Sequence, residues 1–144
     1  MFQLSHAGNT FGCALPLLTA CLILAAESPV VSAQDDSQIA GTWRGNSVCA
    51  VPNSPCRDEV NVYRYSEISG KPNRFSCTAG KVVDGREIVM GSSEWTYDTS
   101  KHLLRTVSPN TTIRLTLDHD TLDGALALPD GTIYRRIHLK KSRD

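Results

Sequence analysis

The densest set of chemistry-bearing residues in this sequence is Asp118, His119, Asp120 and Asp123, an Asp-x-Asp-x-x-Asp run with an imidazole inside it. Hard carboxylate oxygens at that spacing can hold Ca²⁺ loosely, but the established twelve-residue calcium loop is longer and ends on a bidentate Glu. The run lies between two strand-like stretches, which makes it a polar hairpin tip, and no metal is expected. Asp58 and Glu59 are adjacent at a strand start. Successive strand residues point to opposite faces, so the two carboxylates cannot work as a pair. Ser, His and Asp are all present, but no Gly-x-Ser-x-Gly elbow exposes a nucleophile. The reading is therefore no catalytic residue, no cofactor and no enzyme. Asn110-Thr111-Thr112 is a glycosylation acceptor only if the chain follows a eukaryotic secretory route.

The cysteines carry more information. Cys49 and Cys56 enclose Ala-Val-Pro-Asn-Ser-Pro, six residues rich in turn formers, so the two thiols can meet. A zinc site would need a second ligand pair at metal spacing, and none follows. A disulfide is expected, and closing so short a loop stabilises by about 2.5 kcal/mol in the chain-entropy picture. Cys77 alternates in phase with Phe75 and Ala79, which places it on an inward strand face as a small apolar side chain. A nucleophilic thiol would want a neighbouring base and an electropositive, exposed setting.

A disulfide implies an oxidising compartment, and the start of the chain agrees. Phe11 to Ala26 is an apolar run of 16 residues interrupted by Pro16, short for a membrane span. Val31-Ser32-Ala33 then supplies small residues before Gln34. Residues 1–33 read as a secretory signal peptide cleaved after Ala33, although its first ten residues carry no Lys or Arg. Leu18-Thr19-Ala20-Cys21 also resembles a lipobox, the alternative being a lipoprotein anchored through Cys21, but the residues after Cys21 remain apolar. Export to a periplasm or outside the cell is the expectation, with no membrane span in the mature chain and a monomeric state.

The 144 residues allow one domain. Of 15 acidic residues only Glu27 lies in the signal, leaving 14 against 15 Lys and Arg, a net charge of +1. With no basic stripe beyond the terminal Leu-Lys-Lys-Ser-Arg-Asp, nucleic acid is not an expected partner.

The elements that must position these residues are strands. Residues 34–38 read as a flexible leader and 39–144 as the domain. Ile39 to Cys49 is expected as the first strand, with Ile39, Gly41, Trp43, Gly45 and Ser47 on one face. Glu59 to Ile68 is β-rich by composition, and Arg74 to Val82 follows a Ser-Gly-Lys-Pro-Asn turn. Asp84-Gly85 signals a hairpin into Arg86 to Met90, and Gly91 marks a bulge or corner before Ser92 to Tyr97. His102 to Val107, Thr111 to Leu117, Thr121 to Leu128 and Thr132 to Lys140 complete the series. In Thr111 to Leu117 the alternation is clearest, with Ile113, Leu115 and Leu117 opposite Thr112, Arg114 and Thr116.

Short strands joined by hairpin-type turns argue an all-β fold, an antiparallel up-and-down barrel of eight to nine strands. On the last strand Arg135 lies in phase with Ile133, Ile137 and Leu139. A charge on an apolar face needs a partner, and barrel closure would bring Arg135 to Trp43 of the first strand in a cation–π contact.

Gly41-Thr42-Trp43 on a first strand with Arg135 on the last resembles the signature of the calycin superfamily, the lipocalins, fatty-acid-binding proteins and avidins. The likeness covers two short motifs and the strand count. The cysteine loop after the first strand and the lack of a helix before the last one depart from lipocalins. The start Thr42-Trp43…Cys49…Ser54-Pro55-Cys56 and the ending Pro129-Asp130-Gly131-Thr132-Ile133-Tyr134-Arg135-Arg136 are similar to small bacterial secreted proteins of uncharacterised role.

One expectation is a binding module for a small apolar or amphipathic ligand, its cavity lined by Trp43, Phe75, Cys77, Leu115 and Leu126, with small inward residues (Gly45, Ser47, Ala79, Gly124) leaving space; the equally weighted reading is that Trp43, Phe75, Ile113, Leu115 and Leu126 fill the barrel completely. The alternative is an envelope protein–protein module, such as an inhibitor of a secreted hydrolase, presenting the rigid Cys49–Cys56 loop.

Overall fold

In a computed structural model of the protein, residues 36–143 are described. The expected signal peptide, its expected cleavage after Ala33 and the lipobox-like stretch ending at Cys21 lie outside them. A single helical turn, α1 (Asp36–Ile39), precedes eight strands: β1 (Gly41–Cys49), β2 (Glu59–Glu67), β3 (Arg74–Val83), β4 (Arg86–Asp98), β5 (Leu103–Ser108), β6 (Thr111–Asp118), β7 (Thr121–Ala127) and β8 (Ile133–Lys141). Each strand pairs antiparallel with the next, and β8 returns to β1, so the sheet closes as an up-and-down barrel. Closure leaves no strand wholly at an edge.

Two differences from the sequence reading exceed a single residue at a strand end. Ile39 is the last residue of α1 rather than a strand residue, because Gly41, at φ 121°, turns the chain sharply before β1 begins. The segments expected on either side of Gly91 form one strand of 13 residues, β4. Gly91, at φ 152°, sits at a register shift where Ala79 pairs with Gly91 and Gly80 with Val89, so Met90 is the extra residue of a bulge. A bulge bends a strand without ending it.

Alternation decides what fills the barrel. Trp43, Tyr63, Tyr65, Phe75, Cys77, Trp95, Tyr97, Leu104, Leu115, Leu117, Leu122, Ile137 and Leu139 form one buried cluster, with Ile39 of α1 packed into it. Most sit toward the end where β1, β3, β5 and β7 begin. Tyr65 and Trp95 meet edge to face at 5.4 Å, and Tyr63 packs on Trp95 at 6.1 Å. Such pairs add roughly 0.5–1.5 kcal/mol beyond the area they bury. Trp43 Nε1 donates to the Ile39 carbonyl at 2.8 Å, which fixes α1 across that end. Lys141 covers the same indole, with its ammonium 5.4 Å from the ring centre and donating to the Gln38 carbonyl at 2.6 Å. Burial pulls the Lys141 pKa below the ordinary lysine value, and Asp120 pulls it partly back.

Candidate functional site

The opposite end of the barrel is less sealed. Ala79, Ile113 and Leu126 are only partly buried where they cap the core. Above them the inward positions of β1, β2, β3 and β8 carry polar side chains: Ser47, Glu59, Asn61, Lys81 and Arg135. Strand register brings them together, since Ser47 pairs with Glu59 and Asn61 with Lys81, while Arg135 lies opposite Cys49. Lys81 Nζ donates to Glu59 Oε1 at 3.1 Å, and Arg135 reaches the other Glu59 oxygen at 3.6 Å. Arg135 also donates to the Ser47 carbonyl at 3.3 Å. One carboxylate is thus shared by two cations, and the cluster carries a net positive charge. Its three charged side chains are between 14% and 34% exposed, so solvent reaches them without screening them fully.

Asn61 is the unusual member. It is 3% exposed, and its Oδ1 has no hydrogen-bond partner among the described residues. A buried unsatisfied carbonyl costs about 1–3 kcal/mol and calls for an explanation. Below it, burial pushes the Tyr63 hydroxyl pKa up to about 12, although a hydrogen bond from the Asn61 side chain pulls the other way. Deeper still, burial raises the Cys77 thiol to about 12, so the thiol stays protonated and is not a nucleophile at neutral pH.

The site residues expected from sequence separate between these regions. Trp43 and Arg135 do not meet: Trp43 pairs with Lys141 at the closed end, while Arg135 lies six residues up the same ladder, stacked near Tyr134 at 5.9 Å. The expected cation–π contact is therefore made by Lys141. The register shift between Leu126 and Ala127, which leaves Tyr134 as the extra β8 residue, belongs to the same seam. Trp43, Phe75, Cys77 and Leu115 are 0% exposed and pack against one another, so they fill the barrel instead of lining a cavity. The physical reason is the aromatic set from β2 and β4, which occupies the space they would have bounded. Leu126 alone of the five sits at the more open end. Gly41 serves the turn from α1.

Asp118, His119, Asp120 and Asp123 do not converge. Asp118 bonds His119 at 2.7 Å at the turn, Asp120 pairs with Arg143 at 3.2 Å, and Asp123 bonds His138 at 2.5 Å on the outer wall. Asp58 accepts from the Cys49 amide at 2.8 Å, while Glu59 points inward, so the two carboxylates diverge. Cys49 and Cys56 form a disulfide. Its loop is held by Ser54, whose hydroxyl donates to the Val51 carbonyl at 3.0 Å. Sequence reasoning missed Asn61 and Lys81. The alternation Asn61, Tyr63, Tyr65 in Glu59–Glu67 was the available signal.

No family model matches this chain, and no curated protein matches it. Among solved structures it is similar to a redesigned beta barrel, with a TM-score of 0.56 and 17% identity over 76% of this chain and 96% of that one. At that identity the likeness is one of fold: a small closed antiparallel barrel.

Proposed function

We propose that this chain is an exported, non-catalytic binding module that takes an amphipathic molecule at the more open end of its barrel. The observation that carries this reading is the buried, unpartnered Asn61 Oδ1 beside two cations that share one carboxylate. A headgroup with an anionic oxygen answers Lys81 and Arg135, and an N–H or O–H donor answers Asn61. Ile113, Leu126 and Ala79 offer apolar surface to the adjoining chain. The deeper core leaves no room for a long tail within the barrel, so the tail lies along the rim. Export is supported by the Cys49–Cys56 disulfide.

The test is titration with N-dodecanoylglycine, dodecanoate and dodecyltrimethylammonium. The readouts are the Asn61 side-chain amide and the Ile113 and Leu126 methyl resonances. The acyl amino acid should bind best and the cation not at all, and Asn61→Leu should erase the advantage of the amide-bearing probe over dodecanoate. Unchanged resonances with all three probes would overturn the reading.

A second reading, a protein-binding role for the Cys49–Cys56 loop, is favoured by exposed Pro52, Asn53 and Pro55 on a stapled, internally bonded turn. It predicts that replacing residues 51–55 abolishes capture of an envelope protein while leaving the probe titrations intact.

A further inference from the structure

The outer wall of β5 to β8 carries a charge pattern that only strand register assembles. Arg105 of β5 lies opposite Arg114 of β6, Arg114 opposite Ala125 of β7, and Ala125 opposite Arg136 of β8. The three arginines are 9 and 22 residues apart in the chain, so no run of sequence shows the row. All three are exposed, and none makes an ion pair or hydrogen bond among the described residues. The acids of the same wall are engaged elsewhere, Asp118 with His119 and Asp123 with His138. Two residues further along β5, β6 and β7 runs a second row, Val107, Thr112 and Ala127, and the bulge at Tyr134 brings Ile133 opposite Ala127. Val107 is 60% exposed and Ile133 38%. A basic row and a mainly apolar row thus run side by side around the barrel, about 7 Å apart at strand geometry. Like charges directly opposite on neighbouring strands lower stability, so Arg105 and Arg114 lack the counter-charge their placement calls for. An anion laid on them removes the repulsion, and a guanidinium holds a carboxylate through two parallel N–H···O bonds.

We propose that this double row docks an extended segment of a partner protein in which acidic and apolar residues alternate. In an extended chain successive side chains point to opposite sides, and those on one side repeat every 6.6–6.8 Å, roughly two strand residues. Lying between the rows, such a segment sends its acids to the arginines and its apolar side chains to Val107, Ala127 and Ile133. Three strand spacings, roughly 14 Å, separate Arg105 from Arg136, a distance that about three acids of one segment span. The double row crosses four of the barrel's eight strands, so it curves away from a flat lipid surface, while an extended chain can follow it. Neither row carries an aromatic ring on which a nucleic-acid base could stack. These side chains face outward, whereas Asn61, Lys81 and Arg135 face inward, so docking here stands or falls separately from ligand binding at the barrel mouth.

The test is fluorescence anisotropy of the purified protein with a labelled peptide of Glu-Val repeats. Peptides of Lys-Val and Glu-Ser repeats, oligodeoxythymidine and phosphatidylglycerol vesicles serve as competitors. The Glu-Val peptide should bind, more weakly as salt rises, and should be displaced poorly by every competitor. Arg105→Glu and Arg136→Glu should each weaken it about tenfold, the loss of one charge-assisted contact. Arg105→Glu, which sets opposite charges across the β5–β6 pair, should at the same time raise the melting temperature, so that lost binding cannot be lost folding. N-dodecanoylglycine binding should be unchanged in both variants. Absence of Glu-Val binding overturns the proposal, as does binding indifferent to the two substitutions. Displacement by the Glu-Ser peptide, the oligonucleotide or the vesicles at equal or lower concentration overturns it too, and a lower melting temperature in Arg105→Glu removes its like-charge premise.

Discussion

Gly45 of β1 lies so close to β8 that a Cβ built on it would fall 2.0 Å from the His138 carbonyl oxygen and 2.8 Å from the Leu139 Cα. The atoms in the way are backbone, which cannot swing aside as a side chain can. Gly124 repeats the relationship between β7 and β6, where a Cβ would fall 1.9 Å from the Arg114 carbonyl oxygen. Barrel closure between β1 and β8 thus depends on a missing methyl group. Gly45→Ala should destabilise by roughly 3 kcal/mol, an overpacking effect well above the usual gain from replacing a strand glycine. Urea unfolding measures it, and an unchanged midpoint would refute the close approach.

The Cys49–Cys56 disulfide joins the end of β1 to the approach to β2. The Cys49 amide is also held by Asp58 and the Ala50 amide by the Tyr134 carbonyl at 3.0 Å. Reduction therefore frees a short loop anchored at both sides, and should lower stability by about 2.5 kcal/mol while leaving the strand content intact. Thermal unfolding with and without reductant, followed by far-ultraviolet circular dichroism, distinguishes this from loss of the fold.

Most of the barrel was legible in the sequence because an antiparallel hairpin is a local object. Thr111 to Leu117 alternates visibly, and Asp84-Gly85 marks the turn between β3 and β4, with Asp84 at φ 50° and Gly85 at φ 76°. Gly91 was legible as a bulge or a corner, but not as which of the two, since both use the same residue. What spans the chain was not legible. The pairing of Trp43 with Lys141 and of Cys49 with Arg135 depends on register across the β1–β8 seam, where no turn sets the alignment. A shift of six residues along that ladder exchanged a core cap for a polar cluster. The choice between a filled and a hollow interior stayed open for a related reason. Tyr63, Tyr65, Trp95 and Tyr97 come from two strands that both pair with β3, and only their joint presence shows that no space remains beside Phe75.

Buried acids set the alkaline limit of the fold. Cys77 has its pKa raised by burial from 9.0 to about 12, and Tyr63 from 10.0 to about 12. Tyr65, 2% exposed, is raised well above 10.0 by burial as well. In the unfolded chain these groups lose their protons earlier, so above about pH 9 the unfolded state binds fewer protons than the folded one and stability falls as pH rises. Their contribution is fully present below the unfolded values and lost as pH approaches the folded ones. Each group steepens the fall by up to about 1.4 kcal/mol per pH unit. Urea midpoints should stay level with respect to these groups to about pH 9 and then decline, and in Cys77→Ala the decline should begin about one unit later, where Tyr63 takes over. Coincident profiles would exclude Cys77 as the first group to titrate.

The Arg135–Glu59 contact separates the energetics of the polar end from its binding role. Arg135 is 14% exposed and Glu59 21%, so each charge has lost most of its water and relies on the other and on Lys81. Removing one member of a buried pair costs more than removing both, because the survivor stays desolvated and unpaired. Arg135→Leu should destabilise by roughly 2 kcal/mol, reduced from the fully buried figure because Lys81 and solvent still reach Glu59. Adding Glu59→Leu should recover most of that loss. The double variant keeps its fold while the acid-recognising cation is gone, so anionic probes should bind it weakly at a melting temperature close to the parent's. A double variant that binds those probes as the parent does would show that Arg135 only balances Glu59, leaving recognition to Lys81 and Asn61.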